Sequence, residues 1–285
     1  MTEILEAVTG AAMVVFIVGS MAAMGLGLTI PRIVEPLRDL RLVGGLLVAN
    51  FVVVPAAAIA AGRLLPMEPA AASAVILVGC AAGAPFLPKL AQLAGGSLAL
   101  AVGSMVLLMV ATVLYAPLVV PLAVPGTTVD PLRIAGSLVA LLLVPLGIGL
   151  LVRARRPGLA DAWVGRAGRA STVGLLVGVV AAVLATWQEM LGAVGTWLFS
   201  GTAIVVATGL LAGWLAGWGR SGQRAVLSLA TAQRNVAAAL VMAASLGGDA
   251  LVYTLLGAIV IPGALMALAG VVGRRRTVAP PAAGG

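Results

Sequence analysis

Two positive side chains occur where a charge is costly. Lys89 follows G-C-A-A-G-A-P-F-L-P at residues 79–88, and Arg234 sits in S-L-A-T-A-Q-R-N-V-A-A-A-L at 228–240. Both stretches are inside long apolar runs that contain no aspartate or glutamate. A charge at the centre of a membrane helix costs ~2.5–3.5 kcal/mol even on the lenient insertion scale. Such groups are expected to face an aqueous cavity or a partner. Two uncompensated cations attract an anion, and the planar fork of arginine suits a carboxylate. Lys89, Arg234, Asn235, Gln233, Thr231 and Asn50 are therefore the candidate substrate-binding residues, the amides and hydroxyl orienting polar groups. Two alternatives stay open. Lys89 lies near the Ala94-Gly95-Gly96-Ser97 turn and can snorkel to the interface. Asn50 can equally be polar glue between helices.

The rest of the inventory excludes much other chemistry. The chain has 285 residues, no histidine and one cysteine, Cys80, in an apolar run. No zinc, haem or iron–sulfur set can be assembled from these residues, and a thiol nucleophile lacks a histidine base. Cys80 reads as a small packing residue. No catalytic residue, metal ligand or cofactor is expected, and a membrane-embedded enzyme is disfavoured.

The elements that position the cations are membrane helices. The chain is 62% hydrophobic and 9% charged, with a mean hydropathy of +1.18. A soluble domain is about 25% charged, so this composition points to an all-α integral membrane protein. Nine apolar segments lie near 8–29, 42–62, 70–93, 97–124, 134–152, 171–187, 197–219, 225–246 and 250–272. The net charge of +8 reflects arginines clustered between segments rather than a nucleic-acid surface. With the N-terminus outside, thirteen of the seventeen cations fall in inside loops. Most acids fall outside: Glu3, Glu6, Glu68, Asp130, Glu189 and Asp249. This predicts a cytoplasmic C-terminus, and the arginine-rich composition of a high-GC bacterium points to a bacterial inner membrane. Residues 273–285 read as a disordered cytoplasmic tail.

Two segments are interrupted. The third carries Gly83, Pro85 and Pro88 together, and proline removes a backbone donor and opens the helix. The eighth carries Thr231, Gln233, Arg234 and Asn235 but no proline, so its unwinding is less firmly indicated. Each is second to last in its half of the chain, and five segments separate them. That spacing matches an inverted repeat whose broken helices cross at the bilayer midplane and form a substrate site. A plain proline kink is the alternative for the third.

These residues resemble the bile acid:sodium symporter family from about Met21 to Ala269. M-A-A-M-G-L-G-L-T at 21–29, L-L-V-A-N-F-V-V-V-P at 46–55 and V-I-L-V-G-C at 75–80 are similar to family helices. So are L-A-L-A-V at 98–102 and L-S-L-A-T-A-Q-R-N-V-A-A-A-L at 227–240. The resemblance implies ten helices, of which this chain lacks the first. It implies a panel domain, about 8–29 and 134–187, and a core domain, about 42–124 and 197–272. Substrate would bind between them. It also implies two sodium sites beside the crossing. Here the expected oxygen ligands are replaced by Leu87, Pro88, Ala101, Met105 and Ala230.

A sodium ion beside two fixed cations would be repelled. The expectation is a secondary transporter of small organic anions, working by alternating access, with lipid bilayer around it. The Lys89 ammonium would take the first sodium position and the Arg234 guanidinium the second. A buried lysine beside a cation can also release its proton, so a proton is one possible coupling partner. Sodium coupling is the alternative function, through residual backbone and amide ligands.

Overall fold

The computed structural model describes residues 2–124, 130–192, 195–220, 222–246 and 250–278. Every regular element among them is helical. α1 is Thr2–Gly27 and α2 is Ile30–Val34, followed by a 3₁₀ turn at Glu35–Arg38. α3 (Leu40–Val48) and α4 (Val54–Leu64) form one span joined by a π turn at Ala49–Val53. α5 (Pro69–Cys80) and α6 (Leu87–Leu93) are two halves of a broken helix, and α7 is Leu98–Ala123. α8 (Pro131–Leu138) and α9 (Val144–Arg155) again flank a π turn, at Val139–Leu143. α10 is Pro157–Gly192, α11 Leu198–Ala216, α12 Arg224–Ala232, α13 Val236–Leu246 and α14 Ala250–Val278.

Among the described residues, seven helices are long and apolar enough to cross a membrane. The chain is thus an all-α integral membrane protein. The broken helix falls outside this group because α5 alone is too short. α10 begins at Pro157, well before the apolar segment expected from residue 171. Its first half carries Asp161, Arg166 and Arg169, so hydropathy conceals it, while proline at the first helical position suits the start. α14 runs on to Val278, so residues 273–278 are helical rather than tail. Asp249 and residues 279–285 lie outside the described residues.

Both π turns precede a Val-Pro pair, Val54-Pro55 and Val144-Pro145. A proline ring clashes with the carbonyl four residues back, here Phe51 and Leu141. Widening that turn relieves the clash without ending the helix.

Packing divides the helices into two sets. α1 lies along α10 and α9, and Ser171 Oγ donates to the Phe16 carbonyl across the α1–α10 seam at 3.0 Å. The other set gathers α3–α4, the broken helices, α7, α11 and α14. There α11 and its C-cap present Gly209, Gly213 and Gly217, three small residues at four-residue spacing. A Cβ on Gly213 would lie 2.7 Å from Ser228 Cα, so α11 and α12 touch backbone to backbone. α5 packs on α13 and α6 on α12, so the two broken helices meet in opposite sense.

A surface ion pair fixes one end of this second set. Asp39 caps α3, its Oδ1 accepting from the Arg41 and Leu42 N–H groups at 3.1 Å each. Its Oδ2 accepts from Arg220 Nη2 at 2.5 Å, in the connection between α11 and α12. The Leu42 N–H bond, with Arg220 and the Arg41 N–H adding to it and partial desolvation opposing it, holds the carboxyl below its ordinary value. A depressed carboxyl contributes its stability above the unfolded-state value and loses it as pH falls through the folded-state value. Thermal melts of the wild type and of Asp39→Asn in detergent should therefore differ near neutral pH. The gap should close as pH drops below about 4.

Candidate functional site

The first break frees several backbone groups, and their fate defines the site. α5 stops at Cys80, the chain runs without regular structure through residues 81–84, and α6 resumes at Leu87. Gly83 turns the chain with a φ of +81°, a conformation open to glycine. Carbonyls released here have no water available in a bilayer and must be matched by protein. Nearly all are. The Asn235 N–H donates to the Ala81 carbonyl at 2.9 Å, and Asn235 Nδ2 donates to the Gly83 carbonyl at 3.0 Å. Thr112 of α7 binds Ala82 twice, its hydroxyl donating to the carbonyl and accepting from the N–H, both at 3.1 Å.

Arg234 matches two more. It lies in the second break, between Ala232 and Val236, and is 1% exposed. Nε donates to the Val78 carbonyl at 3.1 Å and Nη2 to the Gly79 carbonyl at 2.6 Å. Nη1 donates to the Thr231 carbonyl and to Asn50 Oδ1, both at 2.9 Å. Val78 and Gly79 lie in the last turn of α5, and Thr231 in the last turn of α12. The guanidinium therefore sits at the C-terminal ends of two half-helices, where unpaired carbonyls and the negative dipole end favour a cation. It has no carboxylate partner among the described residues. This also explains a helix that breaks without proline, since the guanidinium donors bind helix-end carbonyls that lack intrahelical partners.

Asn50 completes the cluster from the first π turn. Its Nδ2 donates to the Leu46 carbonyl at 3.0 Å and to Thr231 Oγ1 at 3.1 Å. Thr231 in turn donates to the Leu227 carbonyl at 3.0 Å. Asn50, Thr231, Arg234 and Asn235 thus form one buried network joining three spans. Gln233 is buried beside it. Its Nε2 reaches the Arg234 carbonyl at 3.4 Å, while its Oε1 has no hydrogen-bond partner.

Lys89 is not part of this network. It is exposed on α6, its side chain without a hydrogen bond or ion pair to any described residue, so its ammonium does not take the buried place beside the crossing that was expected of it. Pro88 sits in the first turn of α6, after the break, and Lys89 follows it on the exposed side of that half-helix. Thr112, in contrast, was not anticipated. Its only sequence signal is a hydroxyl in the middle of an apolar span. Cys80 is buried and free, in keeping with a packing role.

The positions where the resemblance predicts sodium ligands are apolar in space as well as in sequence. Leu87, Ala101, Met105 and Ala230 are each at most 1% exposed, within one hydrophobic core. Among the described residues there is no cluster of three or more acidic, cysteine or histidine side chains.

A family model described as Sodium Bile acid symporter family matches residues 13–193. The match takes in the first break and stops short of the segment that carries Arg234. No curated protein matches the chain. With two crossing broken helices in an all-helical membrane bundle and a family match over more than half its length, the chain belongs to the sodium bile acid symporter family.

Proposed function

We propose that the protein is a secondary transporter of small organic anions, carboxylates foremost, that works without sodium. One observation carries the proposal: the Arg234 guanidinium takes four oxygens at the crossing, three of them helix-end carbonyls. A hard monovalent cation would seek oxygens of that kind. The charge there is tethered, so it cannot be supplied or withdrawn by an ion gradient. The other sodium position is filled by packed apolar side chains and offers no ligand oxygens.

In this reading α1, α9 and α10 form the panel and the remaining long helices the core. Substrate enters the crevice between them, and one set shifts against the other to alternate access. Arg234 acts at a distance. Four of its five N–H donors are already engaged, but its charge is uncompensated in a low-dielectric surrounding and favours an anion nearby. Lys89, with its ammonium unengaged, is the cation that meets the substrate. Gln233, with an unpartnered Oε1, is the polar group that can turn toward it.

Proteoliposome uptake of labelled small carboxylates tests this. Saturable uptake should be equal in sodium and in choline, and insensitive to an inward proton gradient. Lys89→Gln should raise KM about tenfold, the equivalent of about 1.4 kcal/mol, with kcat little changed. Uptake that requires sodium and saturates with it would overturn the uncoupled reading and favour sodium symport. Absence of carboxylate uptake under every condition would overturn the substrate class.

A further inference from the structure

We infer that the groove between α11, α12 and α14 binds the headgroup of an anionic phospholipid. The groove encloses about 350 Å³ and is lined by Leu210, Trp214, Arg224, Ser228, Leu229 and Leu268 among others. Its one charged group is Arg224. The guanidinium carbon lies 4.6 Å from the ring centre of Trp214 and 5.0 Å from that of Trp218. The two indoles meet edge to face at 5.4 Å. Nε donates to the Gly217 carbonyl at 3.3 Å. The two Nη groups have no hydrogen bond or carboxylate among the described residues. Nearby Arg220 differs in this respect, since Asp39 neutralises it.

Three arguments converge on an anionic lipid. Arg224 is the first residue of α12, and Gln223 before it provides no side-chain cap. A cation at the positive end of a helix dipole is disfavoured by itself, and an anion shared between the fork and the helix start relieves this. Second, Trp214 and Trp218 are 39% and 65% exposed, which suits the aromatic belt at headgroup depth. Third, the groove continues below the arginine along Leu210, Leu229 and Leu268, a wall for an acyl chain rather than for a free anion. The Ser228 hydroxyl is tied to the Leu210 carbonyl at 2.6 Å and keeps the floor closed. Basic pockets between membrane helices recognise phosphodiester headgroups in this way.

Native mass spectrometry of the full chain in detergent, titrated with dioleoyl phosphatidylglycerol or dioleoyl phosphatidylcholine, tests the site. The wild type should retain the anionic lipid about fivefold more tightly, the effect of one basic side chain near a charged surface. Arg224→Gln should bring the two lipids level. Trp214→Leu should reduce the preference while leaving the charge in place, which guards against misfolding of the first variant. Arg63→Gln, in the last turn of α4 and so at the far end of the span that starts beside Asp39, should leave the preference intact. Equal retention of both lipids by the wild type would overturn the site. So would a preference that survives Arg224→Gln, or displacement of the lipid by millimolar inorganic phosphate.

Discussion

Arg234→Gly should lower the thermal midpoint by about 10 °C, and added guanidinium should restore part of the loss. The magnitude follows from what the guanidinium holds. Removing it leaves the carbonyls of Val78, Gly79 and Thr231 and the Asn50 amide oxygen without this donor in a dry interior. A buried acceptor left unpaired costs about 1–3 kcal/mol, so the four oxygens, offset in part by relief from burying a charge, come to about 3–5 kcal/mol, and each kcal/mol shifts the midpoint by about 2–4 °C for a chain of this size. Arg234→Lys should fall between the two. Three ammonium donors on a shorter stem cannot reproduce four bonds in a planar fork. The glycine variant also tests the cation position itself. If the oxygens form a cation site, sodium should raise the midpoint of Arg234→Gly and leave the wild type unmoved. A glycine variant as stable as the wild type would remove the structural role of Arg234. One stabilised by guanidinium but not by sodium would keep that role and remove the claim that a metal cation fits.

Much of this site was legible in the sequence, and the reason is energetic. A bilayer makes polar groups expensive, so a mid-span Arg-Asn pair or a Gly-Pro-Pro cluster stands out against Ala, Leu and Val. The break at 81–86 and the polar character of Asn50, Thr231 and Asn235 follow from that contrast, whereas the break at 233–235, without a proline, was only weakly indicated. What the contrast hides is the identity of the partners. Arg234 binds backbone carbonyls more than 150 residues away, and a carbonyl has no sequence signature. Composition also cannot tell on which side of a short half-helix a charge emerges. Lys89 and Arg234 both interrupt apolar segments, and only the nearness of Lys89 to the 94–97 turn separates them in sequence, yet one is exposed on α6 and the other is sealed. Their difference is the register of the half-helix that follows the first break. The length of α10 was concealed for the opposite reason, because its polar first half resembles a loop to a hydropathy reading.

That register depends on one residue, and Gly83→Ala should prevent the protein from reaching a monodisperse folded state. Two costs act together. The φ of +81° at this position strains any residue with a Cβ, by about 1–2 kcal/mol. The added Cβ would also lie 2.6 Å from Met109 Cα and 2.7 Å from the Met105 carbonyl oxygen. These are backbone atoms of α7 and cannot rotate away, so the chain must retreat, at a further ~1–3 kcal/mol for overpacking. The retreat would also pull the Gly83 carbonyl from Asn235 and the Ala82 groups from Thr112, undoing the bonds that satisfy the break. Gly10→Ala is the matched control. Nothing lies within 4 Å of the Cβ it would add, so it should be neutral or slightly stabilising. Fluorescence-detected size exclusion of the two variants, followed by thermal melts of whatever is monodisperse, compares them directly. If Gly83→Ala elutes and melts like Gly10→Ala, the tight approach of the break to α7 is wrong. The accounting of its carbonyls through Thr112 and Asn235 would then be wrong as well.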